Sequence, residues 1–151
     1  MNIEEKAVVA LKALKAEIAS VGMASVDSVY FTQKRIADAD LKHLKALTSL
    51  TKLKLNRSPI TDAGLERLQS LTNLVQLHLA DTKITDAGLE HLKGLKNLGF
   101  LDLSNTEVTN AGLDHLKSFK ACKTIRLAGT SVSDLGVTRL KAALPGCKIT
   151  N

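Results

Sequence analysis

The sequence predicts an α/β solenoid: a right-handed coil of strand–helix units with a concave parallel β-sheet, convex short helices and an N-terminal capping helix. Three observations predict it. Shifting the chain against itself by 24 residues aligns Leu47 with Leu71 and Leu95. The segment Ile60-Thr61-Asp62-Ala63-Gly64-Leu65 then returns letter for letter as Ile84-Thr85-Asp86-Ala87-Gly88-Leu89. Within each copy, apolar residues first alternate and then recur at helical spacing, which marks a strand followed by a helix.

Residues 1–22 do not repeat. Ala7, Leu11, Leu14, Ile18 and Val21 share one helical face, with Glu4, Glu5, Lys12, Lys15 and Glu17 elsewhere, so the segment reads as an amphipathic helix. A solenoid has to cover its first apolar layer, and this helix is the expected cap. Because its polar positions carry both signs, a basic membrane anchor is disfavoured.

Five 24-residue units follow over 23–142, beginning at 23, 47, 71, 95 and 119, and 143–151 forms a half-unit that closes the array. The whole is expected to be one structural domain. Strand residues facing the core are Val29 and Phe31, then Leu53 and Leu55, Leu77 and Leu79, Leu101 and Leu103, and Ile125 and Leu127. Ser58, Thr82, Thr106 and Thr130 form a hydroxyl column in the following turn. Thr61, Thr85, Thr109 and Ser133 stand where a helix N-cap belongs, with Asp62, Asp86 and Asp134 just inside, complementing the helix dipole. Leu65, Leu68 and Leu71, with their counterparts Leu89, Leu92 and Leu95, supply the buried helical stripe.

The pattern L-x-x-L-x-L followed by a turn resembles the leucine-rich-repeat family over roughly residues 23–151, and is similar to bacterial and cysteine-containing types with I-T-D-A-G-L units. Leu144-Pro145-Gly146-Cys147-Lys148-Ile149 looks like the terminal half-repeat of such bacterial arrays. Two departures stand out. Ser or Thr occupies the column where many of these repeats carry Asn, so hydroxyls must bond the turn backbone instead; and Lys34 leaves the first unit without a short polar member.

Composition narrows the function. Hydrophobic residues are 44% and aromatics only 3%, with no Trp, so the core is aliphatic. The apolar run Ala7 to Leu11 is too short for a signal-peptide core or a membrane span, and a cytoplasmic protein is expected. Two cysteines, Cys122 and Cys147, are too few for a zinc site or disulfide framework; they are expected as buried free thiols in adjacent strands. No metal or cofactor is expected. The formal charge of +6 would suit nucleic acid if it were gathered on one face. Lys42, Lys45, Lys93, Lys96, Lys117, Lys120 and Lys141 instead fall on or just after the helices, and stacking aromatics are not interleaved with the concave cations, so nucleic acid is disfavoured.

Concave positions between the buried strand residues form columns in which the repeats differ. The central column is Tyr30, Lys54, His78, Asp102 and Arg126. Ser28, Lys52, Gln76, Phe100 and Thr124 flank it on one side; Thr32, Asn56, Ala80, Ser104 and Ala128 flank it on the other. Tyr30 and Phe100 are aromatics where packing does not require them, whereas Phe31 and Phe119 occupy Leu positions and belong to the core. Ser104, His78 and Asp102 are expected neighbours, but a shallow sheet face lacks the pocket and oxyanion donors of a hydrolase, so no catalytic residue is assigned. His78 beside Asp102 is expected as a solvated pair with a modest upward pull on the imidazole. His43, His91 and His115 share a position with Arg67 and Arg139, which argues for a solvated basic column rather than a metal ladder.

The resulting expectation is a binding protein, not an enzyme. Tyr30, Lys52, Lys54, Gln76, His78, Phe100, Asp102, Thr124 and Arg126 would recognise a protein or peptide on the concave face. The competing readings are a structural or engineered scaffold with no dedicated ligand and, behind it, a polyanion or RNA binder. A monomer is expected, or a weak dimer through the C-terminal edge strand 147–151.

Overall fold

The computed structural model describes residues 1–20, 25–31 and 36–151. Its sheet has seven strands in sequential order: β1 (Ala16–Ser20), β2 (Val26–Phe31), β3 (Lys52–Lys54), β4 (Gln76–His78), β5 (Phe100–Asp102), β6 (Thr124–Arg126) and β7 (Lys148–Thr150). From β2 to β7 every pairing is parallel, and the partners are spaced by the sequence repeat, as in Leu53 to Leu77 to Leu101 to Ile125 to Ile149. Short helices return the chain: α2 (Asp62–Glu66), α3 (Asp86–Leu89), α4 (Leu113–Leu116) and α5 (Asp134–Ala143), with 3-10 turns beside α3 and α4 and a 3-10 helix, Asp38–Ala46, in the first unit.

One aliphatic core runs the length of the coil. From the second unit into the start of the third, Leu53, Leu55, Ile60, Leu65, Leu68, Leu71 and Leu74 are all fully buried, and their counterparts 24 residues on, Leu77 to Leu98, are buried likewise. Each buried leucine contributes about 1.5–3 kcal/mol relative to an exposed one. Phe119 is fully buried where earlier units carry Leu, and Phe31 is buried, both as expected. The hydroxyl column acts as expected too: Ser58 donates to the carbonyl of Leu55, and Thr82, Thr106 and Thr130 donate to those of Leu79, Leu103 and Leu127 at 2.6 Å.

The N-terminal segment differs from the single helix expected over 1–22. Helix α1 spans Ile3–Ala13, closed at its start by a reciprocal capping box between Asn2 and Glu5. It ends because Lys15 adopts a left-handed backbone, φ 57°, after which Ala16–Ser20 forms β1. β1 pairs antiparallel with β2, Glu17 opposite Tyr30 and Ile18 opposite Val29. A helix and a strand therefore share the capping role. Ala7 and Leu11 bury against the first layer, and the Glu4 carboxylate accepts from the Val26 N–H at 3.1 Å. Val21, Thr32 and Lys34, assigned to the helical face, the concave flank and the hydroxyl ladder respectively, lie outside the described residues.

A second polar ladder joins the units on the side of the helix starts. Thr61, Thr85, Thr109 and Ser133 cap their helices as expected, each accepting from a backbone N–H inside. The aspartates do more than complement a dipole. Asp38, Asp62 and Asp86 each accept from the backbone N–H and the hydroxyl of the next unit's threonine, at 2.8–2.9 Å and 2.6 Å. Asn110 takes this place at the last joint, its Oδ1 accepting from the Ser133 N–H at 3.0 Å and its Nδ2 donating to the Ser133 hydroxyl at 3.0 Å. The glycine two residues into the next helix makes room: a Cβ on Gly88 would collide with Oδ1 of Asp62 and stand 3.2 Å from its Cα.

Candidate partner-binding face

The parallel register places the concave residues in two outward rows. One runs Ser28, Lys52, Gln76, Phe100, Thr124, Lys148; the other runs Tyr30, Lys54, His78, Asp102, Arg126, Thr150. All nine residues singled out from the sequence therefore lie on one face. Glu17 and Ala19 extend the rows at the β1 end, and Lys148 and Thr150 extend them at the β7 end. Lys148 and Thr150 were readable, since they lie one 24-residue step beyond Thr124 and Arg126. Glu17 was hidden by the helical reading of its segment. Ser28, expected to be open, is buried.

The centre of the face is aromatic and cationic. The Lys54 ammonium sits 4.9 Å from the centroid of the Tyr30 ring, and the Arg126 guanidinium 5.2 Å from that of Phe100. The His78 ring lies 4.6 Å from that of Phe100, tilted by 36°. Cations over aromatic faces are attracted by the ring quadrupole, which holds these long side chains against the sheet.

Two expectations about this centre are corrected. His78 is not a solvated base pulled upward by Asp102. Burial, first, and then the positive charge of Lys54 hold its imidazole below the ordinary histidine value, with Lys52 and Arg126 adding to the effect and Asp102 opposing it. Its Nε2 is buried with no hydrogen-bond partner, as suits a neutral ring packed on Phe100. Asp102, expected as the solvated partner of His78, is instead buried, 6% exposed. Its Oδ1 accepts from the Ser104 N–H at 3.0 Å and hydroxyl at 2.7 Å, while Oδ2 pairs with Arg126 at 3.6 Å. The Ser104 hydroxyl therefore donates to the carboxylate rather than to an imidazole base, and the contacts run Ser–Asp–Arg, not in the order a hydrolase triad needs.

Outside the concave face, Cys122 and Cys147 are free and buried, 3% and 8% exposed. Burial, reinforced by the neighbouring Cys147 thiol, pushes Cys122 up to about 12. Burial also raises Cys147. Among the described residues, no three His, Cys, Asp or Glu side chains gather to hold a metal ion, and no helix is long and apolar enough to cross a membrane.

The family model described as Leucine Rich repeat matches residues 46–68 and 70–93, the stretch that contains the joint of Asp62 with Thr85 and Gly88. The chain carries leucine-rich repeats. Among solved structures, the chain is similar to an internalin of Listeria monocytogenes, with a TM-score of 0.64 and 25% identity over 74% of this chain and 31% of that one. It is also similar in fold to a leucine-rich-repeat protein of Leptospira interrogans, with a TM-score of 0.51 and 24% identity over 72% of this chain and 33% of the other. The chain thus spans about a third of the length of both solved proteins. No curated protein matches it. Leucine-rich repeats are a common protein-interaction module, typically without enzymatic activity.

Proposed function

We propose that the protein is a recognition module that binds a protein or peptide partner on its concave sheet face. One observation carries this reading. The inward column aligned from β2 to β7 is Val, Leu or Ile on every strand, while the outward rows hold a different side chain on nearly every strand, including two aromatics under cations. A rigid sheet presenting such a row needs little ordering on association, which favours affinity. Tyr30 and Phe100 serve as anchors; Lys52, Lys54, Gln76, Thr124 and Arg126 set charge and hydrogen-bond complementarity, while His78 packs beside Phe100 and Asp102 holds Arg126. The two free thiols suit a reducing compartment, consistent with a cytoplasmic module.

The test is affinity capture followed by titration of the recombinant captured protein against three forms: wild type, a concave variant (Tyr30→Ala, Lys54→Ala, Phe100→Ala, Thr124→Ala) and a helix-side variant (Lys42→Ala, Lys96→Ala, Lys141→Ala). The expected result is tenfold or greater weakening by the concave variant alone. A partner lost on the helix-side variant and kept by the concave one would overturn the reading.

A further inference from the structure

The outward rows are lopsided in charge. Lys52, Lys54, Arg126 and Lys148 stand in them against two acids, Glu17 and Asp102. Glu17 sits at the margin, on β1. Asp102 is 6% exposed, with both carboxylate oxygens already engaged by Ser104 and Arg126. Arg126 is thus partly offset by Asp102, and Lys52, Lys54 and Lys148 leave the accessible interior of the face net cationic.

The cations are also placed in two groups. Lys52 and Lys54 lie on β3, Arg126 and Lys148 on β6 and β7, and between them β4 and β5 present the stacked rings of His78 and Phe100. Parallel strands are about 4.8 Å apart, so Lys54 to Arg126 spans about 14 Å and Lys52 to Lys148 about 19 Å. An extended chain advances about 3.3 Å per residue. Those spans match about four to six residues of a segment lying across the strands. The middle of the span rests on aromatic surface, because the imidazole packs on Phe100 with its Nε2 withdrawn from solvent.

We propose that the concave face takes an acidic peptide: an extended protein segment crossing the strands, with two groups of carboxylates about four to six residues apart bracketing an apolar side chain seated on Phe100 and His78. The inference rests on the concave-face reading above and gives its partner a chemistry. Association is steered by the facing charges, and the central apolar contact fixes the register of the segment.

Selection of a random dodecapeptide display library on the immobilised full chain tests this. Enriched peptides are synthesised and titrated by fluorescence anisotropy against wild type, Lys54→Glu/Lys148→Glu and Lys42→Glu/Lys96→Glu. Both variants change net charge equally, and the second places the change on the helix side; thermal unfolding confirms that each is folded. The expected result is enrichment of peptides with two acidic groups at the stated spacing, weakened tenfold or more by the concave reversal and less than twofold by the other. Enriched peptides without acidic excess that are still lost on the concave variant would overturn the acidic assignment and leave the concave face standing. Acidic peptides weakened equally by both variants would reduce the effect to net charge and overturn the inference, as would a selection that enriches nothing. Peptides indifferent to the concave variant and lost on the helix-side variant would overturn the concave-face reading itself.

Discussion

Asp62 accepts two hydrogen bonds from Thr85 of the next unit, from the backbone N–H at 2.9 Å and from the hydroxyl at 2.6 Å. Gly88 belongs to the same seam, since any side chain there would strike the Asp62 carboxylate. Gly88→Ala is therefore expected to cost about 2–4 kcal/mol, whereas Gly94→Ala, whose nearest neighbour would be the Gln69 carbonyl at 3.9 Å, should stay within about 0.5 kcal/mol. Asp62→Ala leaves a donor pair unmatched, at about 1–3 kcal/mol, and Asp62→Asn should cost less because Asn110 already fills that place two seams further on. Urea denaturation of the four variants checks the order.

His78 makes stability depend on pH in a definite direction. Its imidazole is held below the ordinary value by burial and by Lys54, so as pH falls the unfolded chain takes up the proton first. The contribution is complete above about pH 6.5 and is lost as pH drops below it. Wild type minus His78→Gln, followed by denaturation between pH 5 and 8, should isolate this slope. A difference that grows as pH rises above 7 would contradict the assignment.

Tyr30 and Phe100 lie on the sheet rather than in the core. Replacing either by alanine is expected to lower stability by no more than about 1 kcal/mol while weakening partner binding. Severe loss of thermal stability in either variant would show that its ring supports the fold.

Removing residues 1–20 takes away both α1 and β1, exposing the Val26, Val29 and Phe31 layer and an unpaired edge on β2. Aggregation or loss of cooperative unfolding is expected, followed by size-exclusion chromatography and melting. A monomeric product with unchanged melting would remove the capping role.

Both thiols should titrate only slowly in the folded protein, Cys147 ahead of Cys122, and rapidly once unfolded. Burial raises both, Cys122 to about 12, and the thiolate is the reactive form. Absence of reactive thiols after unfolding would reveal a disulfide.

The repeat was legible because its inward residues barely vary. Leu53, Leu77 and Leu101 occupy one column that only a 24-residue coil brings into register. The concave rows followed from the same period. What escaped has physical reasons. The segment 16–20 satisfies helical spacing through Leu14 and Ile18 and strand alternation through Ala16 and Ile18, and only its pairing with β2 decides. The paired columns of Asp62 with Gly88 and Asp86 with Gly112 were visible as letters, but their meaning lay in a close approach between units. The direction of the His78 shift depended on how far the Phe100 ring and Lys54 shield it, which spacing does not encode.

The Asp-Gly seam makes the joints between units interchangeable. From the second unit to the fourth, each offers a carboxylate or amide on one side and a threonine with a glycine recess on the other, so the junction at Asp62 and Gly88 is chemically the same as that at Asp86 and Gly112. A unit duplicated in frame would find matching joints at both its ends. Each such insertion would widen the gap between Lys54 and Arg126 by one strand, about 4.8 Å, while leaving the two caps unaltered. The protein is in that sense an adjustable ruler, with the distance between its two groups of cations set by gene length in steps of one repeat.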